Sequence, residues 1–512
     1  MSASRKTPKP DPASAAPREI ELKLELASGA AEDLLAHPLL DKARPLPEQS
    51  GELHAVYFDT NDHALHREGI SLRIRRRNGK ATQTIKAEGP NKGIAMDRGE
   101  WETPVDDELD LSAAAGTPLE ILVAEEALLG GIQPAFTVET SRKAFEIELD
   151  GALIEVALDR AKASGGNKAV TFSEVELELR QGDAGALFAL ARRLSEAAPL
   201  RLSTVAKSER GYRLLDKEAL RPFRAEKVAL SKDATCAEAF QVIARSCLAQ
   251  MVQNEALVRL TQDPDALHQM RVGLRRLRAA ISLFRNQLLT DSESAAIRDN
   301  LRWAGQALGT ARDLDVFIER LRSMGDHAPE PSQMEEIERR RTEAYRDLLE
   351  TLESCHFMDV ILQTAAWIEA GAWMVSGEGR KSAQRRSARD FAAAELSRRF
   401  KRIRKLAKHL RDVGDEERHE LRIRIKKLRY GTEFFTSLFT SGKAGKRRKT
   451  FSSLLEDLQE NLGALNDLAV GGSLALYLPQ VPPKQLKRQR EKLLDKSEIS
   501  LSALSQADPF WL

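Results

Sequence analysis

The hydropathic period changes once along this chain, and that change constrains its fold more than any other feature. From Glu19 to about Arg180 apolar and polar residues alternate, the period of strands; from Thr235 onward apolar residues recur at three and four, the period of helices. A chain of 512 residues has room for about three domains of roughly 150 residues. The expected fold class is therefore multidomain, an N-terminal α+β part built on antiparallel strands and a C-terminal all-α part.

The strands share a second property: each carries charge on one face and aliphatics on the other. Glu19, Glu21, Lys23 and Glu25 oppose Ile20, Leu22, Leu24 and Leu26. Arg73 and Arg75 oppose Leu72 and Ile74; Thr82, Thr84 and Lys86 share a face; Glu100 and Glu102 flank Trp101. Glu155 and Asp159 oppose Ile154, Val156 and Leu158, and Glu174, Glu176 and Glu178 oppose Val175, Leu177 and Leu179. For a single strand this describes a sheet with one solvated face. Six or more such strands, several joined by short glycine turns, weigh against that reading; if the sheet closes, the charged faces point inward and the aliphatic faces pack on the helices outside. A lumen of mixed charge is costly unless the charges pair or a ligand completes them. Helical patches interrupt the alternation near Ala30–Leu40, Glu120–Gly130 and Ala184–Ala197.

The helical part contains an internal repeat. His268, Arg271, Arg275, Arg276 and Arg278 are answered by His419, Arg422, Lys426, Lys427 and Arg429, at offsets 0, 3, 7, 8 and 10 in both copies. A Phe follows sixteen residues after each His, at Phe284 and Phe435, and Leu308-Gly309 through Asp313 is answered by Leu462-Gly463 through Asp467. Offsets 0, 3, 7 and 10 fall on one helical stripe. Stacked cations at these spacings repel by a few tenths of a kcal/mol per pair, a cost that a polyanion lying along them removes. The expected partner is inorganic polyphosphate, held by forked guanidinium donors, with the histidines able to gain charge at mildly acidic pH.

Charge distribution agrees. Residues 226–512 hold 48 basic and 40 acidic residues against a net charge of +2 for the whole chain, and 380–449 hold 24 basic and 8 acidic. Aromatics are only 5% of the chain, so platforms for stacking bases are few and nucleic acid is disfavoured. The run from Lys443 to Lys449 is expected to be a loop adding unspecific attraction. No apolar run is long enough to span a membrane. The first 17 residues lack the apolar stretch of a secretory signal. Three cysteines (Cys236, Cys247, Cys355) do not make a disulfide framework. The expected location is the cytoplasm, with association with polyphosphate granules.

In the first half the residue types divide the labour of phosphoryl chemistry. Lys23, Arg73, Arg75, Lys86 and Arg142 suit phosphate oxygens. Glu19, Glu21, Glu174, Glu176, and with them Glu100, Glu102 and Asp159, suit Mg²⁺ or Mn²⁺.

These motifs resemble a known combination. Glu19-x-Glu21-x-Lys23, Tyr57-Phe-Asp59-Thr60, Leu72-Arg73-x-Arg75, Thr84-x-Lys86, Arg98-x-Glu100-x-Glu102, Arg142, Glu155–Asp159, Glu174-Val-Glu176-Leu-Glu178 and Lys207-Ser208 occur in order and resemble the CYTH (triphosphate tunnel metalloenzyme) superfamily. The repeated helices resemble the CHAD (conserved histidine α-helical) domain. The resemblance implies an eight-stranded antiparallel tunnel that hydrolyses inorganic triphosphate with a divalent metal. Lys23, Arg73, Arg75, Lys86, Arg142 and Lys207 would contact phosphate; Glu19, Glu21, Glu174 and Glu176 would hold metal, with Asp159 assisting. Which of Glu174, Glu176 and Glu178 are ligands it leaves open. The superfamily also includes adenylate cyclases and thiamine triphosphatases, and a non-enzymatic polyphosphate scaffold is a further alternative. The expected organisation is a disordered tail over 1–17, a tunnel domain over 18–215, a linker over 216–229, a helical domain over 230–475 with copies at about 230–350 and 380–475, and an extension over 476–512.

Overall fold

The computed structural model describes residues 18–27, 29–88, 94, 96–124, 131–215, 221–323, 330–374, 378–407, 410–440, 442–469 and 483–512. The tail expected over 1–17 lies outside the described residues. The chain divides into two compact units between Arg221 and Pro222.

Alternation becomes strands where it was read, in chain order β1 (Arg18–Leu26), β2 (Arg44–Pro45), β3 (Gly51–Asp59), β4 (Ile70–Arg77), β5 (Lys80–Glu88), β6 (Met96–Val105), β7 (Gln133–Leu149), β8 (Ala152–Gly165), β9 (Lys168–Gln181) and β10 (Leu200–Ser203). Two hairpins are set by local chemistry. Asn78-Gly79 joins β4 to β5 and Asp150-Gly151 joins β7 to β8, all four residues at positive φ, as a two-residue turn that matches strand twist requires. The hydrogen-bonded order β1-β6-β5-β4-β3-β7-β8-β9 returns to β1, so eight antiparallel strands close into a barrel. β10 continues along the edge of β1 beyond β6, and β2 pairs with β7.

Closure explains which face is which. The aliphatic faces point outward and are covered: the helix Gly185–Leu194 buries Leu187, Phe188, Leu190 and Leu194 and packs against β1 and β9, which offer Leu22, Leu24, Val175 and Leu177. Leu72 and Ile85 join Leu65, Ile70, Ala114 and Leu119 in a second outer cluster. The patch expected to be helical near Ala30–Leu40 forms two short helices, Ala31–Leu35 and Pro38–Asp41, and the one near Glu120 forms Leu119–Val123.

Another helix, Lys207–Leu215, enters the barrel. Ala206, Lys207 and Ser208 line its cavity, and Tyr212 packs among Tyr57, Phe136, Val138, Ala161 and Ala163. The helix is pinned by Asp59, which is buried and accepts from the Tyr212 hydroxyl (2.7 Å) and from the backbone N–H of Thr60, Leu65 and His66. His66 Nε2 lies 3.0 Å from Glu209 Oε2 on the same helix. Gly211 is where the helix passes closest: a Cβ there would sit 2.1 Å from the Phe136 ring. Gly211→Ala should therefore destabilise the tunnel unit by roughly 1–3 kcal/mol, read as a lowered thermal midpoint; an unchanged midpoint would refute this seating.

The second unit is helical throughout its described elements. Two helix hairpins carry the repeat: Cys236–Thr261 with Pro264–Phe284, and Ala388–Ala407 with Asp415–Phe434. Equivalent positions of the copies meet. Backbone bonds join their first turns (Cys236 N to Arg386 O and Ala388 N to Ala234 O, both 2.8 Å), and the rings of Phe284 and Phe435 lie 6.0 Å apart in the core, each also against Phe391. The copies differ downstream. In the first, Leu308-Gly309 is a break between Ser292–Ala307 and Gly309–Arg322; in the second, Gly463 lies within one helix, Gly442–Ala469.

One feature corrects the sequence reading. The run Lys443–Lys449 is not a loop but the start of that long helix. Lys and Arg are good helix formers, and the apolar stripe of Phe451, Leu455, Leu458, Leu462 and Leu465, all buried, anchors the segment that follows. Within the extension, the helix Pro483–Gln506 packs on Gly442–Ala469, and Trp511 sits 4.9 Å from the Phe451 ring and donates to Ser397 Oγ at 3.0 Å.

Candidate active site and polyanion-binding helices

Directly opposed residues of antiparallel strands share a face, so register alone carries one inward residue around the barrel. Arg142 opposes Asp159, which opposes Glu174; Lys23 opposes Glu176; Glu178 opposes both Glu21 and Glu155. Lys86 opposes Glu100, Arg98 opposes Glu19, and Arg73 lies between Tyr57 and Thr84. The enclosed cavity is about 540 Å³. Of the tunnel residues singled out in the sequence, Glu19, Glu21, Lys23, Arg73, Arg75, Lys86, Arg142, Glu176 and Lys207 line it; Asp159 and Glu174 are buried beside it.

The charges sort into three neighbourhoods. Around the inserted helix, Asp159, Glu174 and Glu176 bring carboxylate oxygens within 4.8 Å of one another. Lys207 Nζ lies 2.8 Å from Asp159 and Glu176 and also bonds Glu174; Arg142 grips Asp159 with two bonds (2.7 and 2.6 Å) and reaches Glu176. Burial opposes charge here, but Lys207 and Arg142 outweigh it and hold Asp159 below the usual carboxylate range; Lys207, Lys23 and Arg142 hold Glu176 well below it. The Lys207 ammonium is correspondingly pushed up. One atom is left over: Glu174 Oε2 is buried with no hydrogen-bond donor among the described residues, the Arg210 Nε lying 3.9 Å away.

The second neighbourhood is Glu19, Glu21, Glu155 and Glu178. Lys86 takes Glu19 at 2.8 Å, Lys23 and Arg98 take Glu21 at 2.7 and 3.2 Å, and Arg180 takes Glu155 at 2.7 Å. Even so, burial and then Glu19, with Glu155 and Glu21, push the Glu178 carboxyl up to about 8 against the pull of Arg180. Negative charge is in excess here. In the third, positive charge is in excess: Arg75 is pushed down to about 10, first by Arg73 and then by burial, although Glu102 lies 3.1 Å away.

The sequence reading missed part of the wall. Leu53, Ala55 and Tyr57 of β3 and Val138 of β7 face the cavity, so two strands contribute an apolar surface where charge was expected on every strand. Ala55, Tyr57 and Val138 also pack in one cluster with Tyr212 of the inserted helix, a long-range contact that no local pattern signals.

On the helices, each stripe lies over the second repeated element of its own copy. Arg271 Nη2 is 3.7 Å from Asp313 and its Nη1 crosses Gly309; Arg422 crosses Gly463 in the same way, a Cβ at either glycine standing 3.5–3.6 Å from the guanidinium. His419 Nδ1 is 2.9 Å from Asn466 Oδ1, and Arg429 donates to Gln459 at 3.0 Å. Arg271 Nη1, Arg275 Nε and Arg312 Nε are buried with no hydrogen-bond acceptor among the described residues. Arg278 is exposed and Lys426 and Lys427 are half-buried; burial, Arg399 and Arg278 push the Lys427 ammonium down, which brings cations of both copies into one field. Arg276 departs from the stripe. It is buried, donates to Gln250 at 2.8 Å and lies over the Phe434 ring, because offset 8 falls to one side of the line through 0, 3, 7 and 10.

The CYTH family model matches residues 17–212 and the CHAD family model residues 242–476. This chain joins a CYTH domain to a CHAD domain. An inorganic triphosphatase of Haemophilus influenzae is 30% identical over 204 residues, 40% of this chain, and the chain spans only 56% of that relative's length. An uncharacterized protein of Mycobacterium tuberculosis is 28% identical over 464 residues, covering 80% of each chain. The solved CHAD domain from the plant Ricinus communis is 31% identical, covers 56% of this chain and 98% of its own, and superposes with a TM-score of 0.46. Among the described residues no helix is long and apolar enough to cross a membrane. Cys236, Cys247 and Cys355 are free.

One expectation for the CHAD helices is reversed. His268 was read as a group that charges at mildly acidic pH, but burial, then Arg312 and Arg275, push its imidazole down to about 4. An unfolded histidine titrates near 6.5, so between about pH 6.5 and 4 the unfolded chain binds the extra proton. Its contribution to stability is full above about pH 6.5 and is lost as pH falls toward 4. His268→Gln should thus narrow the gap in melting temperature between pH 7.5 and 4.5. An identical gap in both proteins would contradict the burial of a neutral ring.

Proposed function

We propose that the CYTH domain hydrolyses inorganic triphosphate with a divalent cation, Mg²⁺ or Mn²⁺, and that the CHAD domain holds inorganic polyphosphate through His268, Arg271, Arg275, Arg278, His419, Arg422, Lys426, Lys427 and Arg429. Arg276 is assigned to packing. The observation that carries the reading is a single barrel cavity lined both by the cations Arg73, Arg75, Lys86 and Arg142 and by the carboxylates Glu19, Glu21, Glu176 and Glu178.

Two features bear on which residues fit a metal: at Glu178 the carboxylates Glu19, Glu155 and Glu21 outweigh Arg180, and Glu174 Oε2 has no hydrogen-bond donor among the described residues. Glu19, Glu21, Glu174 and Glu176 would hold the metal, with Glu178 beside them. A bound divalent cation supplies charge neutralisation at phosphoryl oxygens. Arg73, Arg75 and Lys86 would bind the phosphate chain, and Lys23 and Arg142 would orient it while keeping Glu176 ionised. Asp159 would assist from behind, holding Arg142 and Lys207 in place beside the cavity.

In the CHAD domain the support is the set of buried guanidinium N–H groups without acceptors, which phosphate oxygens would satisfy. Tethering to a phosphate polymer raises the local concentration of anionic substrate. The test is a turnover panel of inorganic triphosphate, longer polyphosphates, ATP and thiamine triphosphate with Mg²⁺ or Mn²⁺. Triphosphate should turn over at least tenfold faster than the organic substrates. A rate no higher than that of Glu19→Ala/Glu21→Ala would end the catalytic reading. Preference for ATP or thiamine triphosphate would replace the substrate.

A further inference from the structure

We infer that the groove between the helices Ala388–Ala407 and Pro483–Gln506 is a second binding site for linear inorganic phosphate chains, apart from the two histidine-bearing stripes. It depends on the polyphosphate reading for its ligand class but on none of the residues assigned there.

The groove has a volume of about 790 Å³. Arg398, Lys401, Arg402 and Lys405, at spacings i, i+3, i+4 and i+7, line one wall together with Arg404. The helix buries Ala392, Leu396, Phe400 and Ile403 on another face and leaves Lys401, Arg402 and Lys405 exposed. The facing helix presents Leu501 and the hydroxyls of Ser502 and Ser505. Little compensates this charge. Glu395 takes Arg398 at 2.7 Å, and Glu498, the carboxylate on the groove wall, already accepts from Arg411 Nε at 2.8 Å. Lys401, Arg402 and Lys405 have no ionic or hydrogen-bonded partner among the described residues. Repulsion also reaches the next turn, where burial and the cations Arg398 and Arg402 outweigh Glu395 and push Arg399 down.

A ligand for such a wall must be anionic, extended over at least two helical turns, and content with point charges and hydroxyl donors. No aromatic ring lines the groove among the described residues, so nothing there stacks a base. A bare phosphate chain meets all three conditions and has no bases to stack, whereas DNA and RNA would leave their bases without a platform.

The experiment measures binding of long-chain polyphosphate to the full chain between 50 and 200 mM salt. It compares Arg402→Gln/Lys405→Gln with Arg402→Glu/Lys405→Glu and with Arg271→Ala/Arg422→Ala, circular dichroism and melting confirming the fold. The glutamine pair should weaken binding about fivefold and flatten the salt exponent by about 1.5, the glutamate pair should do more, and triphosphate turnover should not change. Wild-type affinity and exponent in both groove variants, with the stripe variant impaired, would overturn this site and leave the stripe reading standing. Loss in the groove variants alone would support the groove and overturn the stripes. Equal loss of affinity for single-stranded DNA at matched phosphate concentration would overturn the ligand.

Discussion

Arg75→Met is expected to lower triphosphate turnover by about 10²–10³-fold, the usual effect of removing one donor aimed at developing charge, while raising the melting temperature of the protein free of substrate. The two effects have one cause. Arg73 crowds Arg75 inside the barrel, and Glu102 compensates only part of the repulsion. A methionine keeps the stem and deletes the charge, so the free barrel gains about 1 kcal/mol or more, which is 2–4 °C for a unit of this size. Triphosphate should stabilise the wild type more than the variant, because ligand stabilisation follows affinity. Undiminished turnover, or a melting temperature that falls, would show that the guanidinium serves the fold and not the ligand.

Lys207→Met should have the largest effect on stability. It leaves Asp159, Glu174 and Glu176 with the cations Arg142, Lys23 and Arg210 around them and no ammonium between them. Removing one partner of a buried ionic set costs about 3–5 kcal/mol. The pH dependence gives the sharper reading. In the wild type Asp159 and Glu176 are held below the unfolded value near 4, so their stabilisation is present above that pH and is lost as pH falls through the lowered values. Without Lys207 at least one carboxyl of the trio rises above its unfolded value. Its stabilisation is then greatest at low pH and disappears as pH climbs through the raised value. Urea unfolding at pH 5 and 8 should show the variant more stable at pH 5 than at 8, the reverse of the wild type between pH 3 and 5. The same slope in both proteins would mean that Lys207 is a spectator.

How much of this could be read beforehand depends on the range of the interaction. The inward charges were legible because a closed sheet turns alternation into an inside and an outside, and Glu19, Arg73, Lys86 and Glu176 each announce their face within five residues. The hairpins at Asn78-Gly79 and Asp150-Gly151 are equally local. The repeat made the meeting of Phe284 and Phe435 legible as a duplication, though not as a contact. Lys207 was reachable only through family resemblance, since nothing near it in sequence says that its helix enters a barrel made by residues up to 190 positions away. The apolar wall of Leu53, Ala55 and Tyr57 was missed for the same reason: an aliphatic face reads as outward until the inserted helix is known. Arg276 and Lys443–Lys449 were misread because a cation was equated with solvent, while Gln250 and Phe434 satisfy the first and helix propensity organises the second.

Barrel closure joins residues 21–26 to 173–178, so the first strand waits for about 150 residues of chain before its last edge is covered. During synthesis at about 5–20 residues per second, that interval is long enough for a nascent chain to present an open row of backbone donors and acceptors to its neighbours. Polysomes are therefore where this protein is most exposed to aggregation, and chaperone dependence should be concentrated in chains arrested before Ser173 and fall sharply once Glu178 has emerged from the ribosome.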